Sequence, residues 1–126
     1  MAGATVEIGP VDPSEPFRPF DDGAITPLVW GAQGSPMVSF RVRVTGVDAP
    51  ACVGMTVEVD LGEGGLDPVS DRLALHCGAS VAAYTIVERT DELCSSNGPL
   101  DTRLHVDLAG LGEASAHLLV PPGCPR

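Results

Sequence analysis

Met37-Val-Ser-Phe-Arg-Val-Arg-Val-Thr-Gly46 alternates without a break. In an extended chain Val38, Phe40, Val42 and Val44 fall on one face, and Ser39, Arg41, Arg43 and Thr45 fall on the other. Period-two alternation rich in β-branched residues marks a strand with one dry face and one solvated face. No other run in the chain is as long or as regular, so this one is expected at the centre of a β-sheet.

On its N-terminal side, Thr5-Val-Glu-Ile8 reads as a short first strand. Residues 9–19 contain Pro10, Pro13, Pro16 and Pro19. Proline has no N–H to donate, so this segment is neither a central strand nor a helix. It is expected to run extended over the surface, pinned to the core by Phe17 and Phe20. Asp21-Asp-Gly23 is a turn signal. Ala24 to Trp30 reads as a second strand, with Pro27 marking an edge or a bulge. On the C-terminal side, Met55, Val57, Val59 and Leu61 alternate with polar residues. So do Leu104, Val106 and Leu108. Shorter strands are read over Arg72 to His76, Ala82 to Glu88 and Ala114 to Val120, the last stopped by Pro121-Pro-Gly123. Asp91 to Cys94 is at most one helical turn.

About eight short strands, closely spaced turn signals and no long helix predict an all-β chain. The expected architecture is an immunoglobulin-like antiparallel β-sandwich, with a small barrel as the alternative. The 126 residues fit one domain, 1–126, with the Pro-rich segment 1–20 packed on it. Aromatic residues make up only 4% of the chain, so the core must be built mainly from Val, Leu, Ile and Ala.

The net charge is −10, and all seven basic residues are arginine. An acidic chain lacks the basic stripe that neutralises phosphates, which argues against nucleic acid as a partner. It argues equally against electrostatic attachment to an anionic membrane. No apolar run is long enough for a transmembrane helix. No basic start followed by the apolar core of a secretory signal is visible. Met1-Ala-Gly fits either a native start or a chain from which a leader has been taken.

Cys52, Cys77, Cys94 and Cys124 show no paired short spacing of the kind that builds a zinc site. Two disulfides are expected, and with them a periplasmic, cell-surface or secreted location. Pairing Leu61 with Arg72 brings Cys77 near Cys52. Pairing Leu104 with Leu118 and Val106 with Ala116 brings Cys124 near Cys94. The expected bridges are therefore Cys52–Cys77 and Cys94–Cys124, with the other two connectivities, free buried thiols and a metal site as the alternatives.

The same register makes His105 and His117 direct cross-strand neighbours on the solvated face. Two facing imidazoles can share a copper or zinc ion, and Asp107 on that face could add an oxygen. Two histidines flanking each other on a wet face by chance is the plainer alternative. Asp21, Asp22, Asp67 and Asp71 lack the spacing of an EF-hand loop and read as turn residues. The glycine-rich loop 62–65 contains Glu63 and no following lysine, unlike a phosphate cradle. No serine stands in a G-x-S-x-G context. Arg41 and Arg43 are expected to form ion pairs, and Trp30 is expected at the core or rim.

One segment has a counterpart elsewhere. Phe17-Arg-Pro-Phe-Asp-Asp-Gly-Ala-Ile-Thr-Pro-Leu-Val-Trp-Gly-Ala-Gln-Gly34, followed by a strand ending Arg43-Val-Thr-Gly46, resembles a family of uncharacterised extracytoplasmic proteins. These are often lipoproteins, from large-genome, high-GC Gram-negative bacteria. Their pattern is F-x-P, an apolar residue, x-D-G, a short apolar strand, then G-x-Q-G-G and a strand containing a histidine. Here Ser35-Pro-Met37 replaces the Gly and His region, so the role of that histidine does not carry over. The resemblance implies an envelope location and an immunoglobulin-like fold, and no activity. The expected function is a secreted or envelope-anchored module with a structural or protein-interaction role and no catalysis. The alternative is a small metal-binding domain using His105 and His117. No cofactor is expected, and the partner would be an unknown protein or envelope component.

Overall fold

In the computed structural model the chain is all-β, with two sheets packed face to face. The structure describes residues 4–11, 16–30, 36–48, 50–60, 69–76, 78–80, 83–86, 94–95 and 97–123. The strands are β1 (Thr5–Gly9), β2 (Ala24–Ile25), β3 (Val29–Trp30), β4 (Pro36–Thr45), β5 (Cys52–Asp60), β6 (Val69–Ala74), β7 (Ala83–Ile86), β8 (Leu100–Leu108) and β9 (Gly112–Val120). Cys94 and Ser95 lie in a helical turn, and residues 91–93 of the expected turn are outside the described residues.

β4 organises the first sheet. It pairs antiparallel with β1 over residues 41–45, with β3 at Pro36 and Met37, and with β7 over residues 37–40. Val38, Phe40 and Val42 are wholly buried, as the alternation requires. The second sheet has the order β2-β9-β8-β5-β6, with every pair antiparallel except β2 and β9. Its inner face supplies Leu104, Val106, Leu108, Leu118 and Val120 to the shared core.

The opposite face of β4 is covered by the Pro-rich segment. Arg41 Nε donates to the Pro10 carbonyl at 2.8 Å, and Arg43 forms an ion pair with Glu7 at 2.8 Å. The Phe17 ring lies under both guanidinium groups, 4.5 Å from Arg43 and 5.8 Å from Arg41. Such stacking is available to arginine because its planar cation is weakly hydrated. Phe20 packs against the core. Phe20 pins the segment to the core as expected, but Phe17 does not reach the core and instead caps the two arginines.

Two expectations need correction. The run Ala24 to Trp30 is two strands in two different sheets: β2 pairs with β9, and β3 pairs with β4. Pro27, which has no donor to give either sheet, stands where the chain crosses between them. In β7 Thr85 is buried and Tyr84 points outward at 51% exposure. The β8–β9 register is shifted by two residues: Leu104 faces Ala116 and Val106 faces Ala114. The β8–β9 turn is confined to residues 109–111. Gly110, with φ of 76°, and Gly112, with φ of 143°, adopt conformations that favour glycine. A shift of two preserves which face each side chain occupies but changes every neighbour.

Candidate functional site

The outward residues of β8 and β9 form the solvated face of the second sheet. The observed register sets His105 opposite Ser115, and Arg103 opposite His117. His105 and His117 therefore share a face but are diagonal neighbours, not directly opposed. This removes the geometry on which a shared metal ion depended. Each imidazole is occupied elsewhere. His105 Nδ1 lies 2.5 Å from Ser115 Oγ, and its Nε2 lies 3.3 Å from Glu113 Oε2. His117 Nε2 lies 2.9 Å from Asp101 Oδ1, and its Nδ1 lies 3.2 Å from Asp22 Oδ1. Asp107, the proposed oxygen donor, is exposed and lies across from Thr56 and Glu113. Among the described residues no group of three or more His, Cys, Asp and Glu side chains is placed to hold a metal ion.

The two histidines differ in what they require. One neutral tautomer of His105 satisfies both its partners: the Ser115 hydroxyl donates to Nδ1, and Nε2–H donates to Glu113. His117 has a carboxylate at each nitrogen, and only the doubly protonated ring can donate to both. Its pKa is accordingly raised above the ordinary 6.5, first by the hydrogen bond to Asp101 and then by that to Asp22. The Ser115–His105–Glu113 order is that of a nucleophile, a base and an orienting acid. It lies on the solvated face of the sheet, with Ser115 and Glu113 both exposed.

The cysteines divide. Cys52 is a free, exposed thiol, which overturns the expected Cys52–Cys77 bridge. The β5–β6 register explains this: Arg72 faces Gly54 and Ala74 faces Cys52, so β6 is displaced from the expected pairing. Arg72 Nε donates to Cys52 Sγ at 3.2 Å. Cys94 is disulfide-bonded. Cys77 and Cys124 lie outside the described residues, as do Asp67 and the 62–65 loop.

Beside the histidines, the seam between the sheets opens into a groove of about 390 Å³. Val6, Ile8, Ala114 and Ala116 line it, with Phe20 and Asp22 at one end and His117 on its rim. The chain closes that end by crossing from one sheet to the other. Phe20 N–H donates to the Ile8 carbonyl at 3.1 Å, and Gly23 N–H donates to the His117 carbonyl at 2.9 Å. Asp22 lies between these two anchors, and its carboxylate meets His117. The volume lies in the range of small-ligand pockets. Sequence reasoning missed this groove because it depends on β1 and β9, far apart in the chain, packing without pairing.

The fold and this face define an acidic β-sandwich with a histidine-bearing sheet surface beside an open seam. No protein-family model and no curated protein matches the chain.

Proposed function

We propose that the chain is an extracytoplasmic binding module of the immunoglobulin-like kind, serving a protein-interaction or structural role in the periplasm, at the cell surface or after secretion, without catalysis. The observation that carries this reading is the groove between β1 and β9, with Ser115 and His117 in its lining and Asp22 at one end. A concave site next to polar groups of fixed orientation is the usual form of a binding site. The oxidised state of Cys94 supports a location outside the cytosol. A bridge between Cys94 and Cys124 is part of the same proposal.

A photocrosslinking residue at position 116, in the groove, tests the reading against one at position 58, on the outer face of β5. The expected result, in envelope fractions, is one discrete adduct from position 116 and none from position 58. Equal adducts from both positions, or none from either, would end it.

A further inference from the structure

We propose that Asp71 closes the outer edge of β6 against a second copy of this chain, and that β6 joins two copies when that carboxylate is removed. This surface is independent of the groove between β1 and β9.

β6 ends the second sheet, and among the described residues no strand pairs with its outer side. Leu75 N–H donates to the Ala51 carbonyl at 2.8 Å, so the odd-numbered residues here bond to β5. Ser70, Arg72 and Ala74 therefore direct their N–H and C=O outward. The facing sheet leaves room beside them. A cavity of about 420 Å³ is lined from β6 by Asp71, Arg72 and Leu73, and from β7 by Ala83 and Tyr84. Such an edge is a template for another chain, and a charge turned toward the core side is one of the devices that protects it. Asp71 holds that position. It faces Met55, while its neighbours on the same side, Val69 and Leu73, face Val57 and Val53. All three β5 residues are buried, so the alternation of β6 calls for an apolar residue at 71. The carboxylate found there accepts from Arg72 N–H at 2.7 Å and so occupies the middle outward donor of the strand.

Two copies meeting by this edge about a twofold axis run antiparallel, and the parity allows two registers over most of the strand. One sets Arg72 opposite its own copy, a like-charge pair. The other is centred on position 71. It sets Val69 opposite Leu73 of the second copy, an apolar match, and requires Ser70 and Arg72 to exchange backbone hydrogen bonds. Asp71 opposes this register in two ways. It holds the Arg72 N–H that the Ser70 carbonyl of the second copy would accept. It also stands opposite its own copy in a non-hydrogen-bonded pair, where facing side chains lie closest. Arg72 does not offset that repulsion, because its side chain lies on the other face, with Nε 3.2 Å from Cys52 Sγ. The apolar and backbone matches of the register are otherwise in place, so the block rests on Asp71.

Sedimentation velocity over a range of concentrations reads the outcome. The parent is expected to sediment as a single chain. Asp71→Val is expected to move toward twice that mass as concentration rises, with amide exchange at Ser70 and Arg72 slowed by about tenfold or more in the associated form. Adding Ser70→Pro removes an outward donor without costing a bond to β5, and should return Asp71→Val to a single chain. Asp71→Val remaining a single chain throughout, with the buried amide signals of β4 intact, would overturn the proposal. So would association that survives Ser70→Pro, or a parent that associates as readily as the variant. Should Asp71→Val fail to fold, the parent alone decides. Its Arg72 amide, bonded to Asp71, should exchange severalfold more slowly than those of Ser70 and Ala74 after correction for intrinsic rates, and equal exchange at all three would refute the closed edge.

Discussion

His117 joins three parts of the chain through one ring: β9, which carries it, Asp101 of β8, and Asp22 of the crossing segment. A ring that loses one proton can donate to one carboxylate only, so one of the two contacts must weaken. The pKa of His117 is raised in the folded chain, hence the contribution to stability is fully present below about pH 6.5 and is lost as pH rises through the higher folded value. Desolvation of the ring opposes protonation, and the two aspartates outweigh it. The ring and both carboxylates are exposed, so the effect is local and screened by salt. A histidine-resolved titration should give His117 a midpoint above 6.5, with the Gly23 amide following the same curve. Asp101→Asn should lower that midpoint more than Asp22→Asn, because Asp101 is the larger cause. An unmoved midpoint in Asp101→Asn would contradict the assignment. That His105 and His117 share the wet face was legible from alternation alone. Their actual partners were not, because a shift of two residues leaves every face unchanged and replaces every neighbour.

Among the elements, β4 was the most legible, and β2 and β3 the least. Ten residues with unbroken alternation can pack in one register only, since a one-residue slip would bury Arg41 and Arg43. Two residues of β2 and two of β3 carry no period, and their pairing is decided by distant strands. The cysteines followed the same rule. The bridge expected at Cys52 depended on the register of β6, which lies mostly exposed on its sheet edge and offers few buried residues to fix it. A test at this scale concerns Gly78, which supports the flank of β4 beyond β7. Its carbonyl accepts from Val44 N–H at 2.7 Å, its φ is 79°, and a Cβ there would run into the Val44 carbonyl oxygen. Gly78→Ala therefore incurs left-handed backbone strain and a clash with an atom that cannot move aside. The expected loss is about 1–3 kcal/mol from the strain alone. Gly110→Ala shares the strain, φ 76°, but has open space around the added carbon and should lose less. Urea unfolding of the two variants compares them directly, and a larger loss at Gly110 would refute the clash.

At the scale of the whole molecule, stability rests on one apolar layer shared by the two sheets. No helix among the described residues is long and apolar enough to cross a membrane. The sandwich was legible because alternation, frequent turns and scarce aromatics all pointed to thin sheets around an aliphatic core. The seam was not, because it is defined by strands that approach without bonding. That core contains a single fully buried aromatic side chain, Phe40 at 0% exposure, in the middle of the central strand. Removing it leaves a cavity that branched aliphatic neighbours, held rigidly by two hydrogen-bonded sheets, fill poorly. Phe40→Ala is expected to cost about 3–5 kcal/mol, against a total of about 5–15 kcal/mol for a domain of ordinary stability. Tyr84→Ala, on an outward position of β7, removes a ring of similar size from a half-exposed site and should cost well under half as much. If Phe40 joins the two sheets into one cooperative unit, its loss should lower the unfolding midpoint while leaving the denaturant slope unchanged. A reduced slope, or separate transitions reported by signals from β4 and from β8, would mean that the sheets unfold independently. Equal midpoints for the two variants would mean that the packing at Phe40 is not what holds them together.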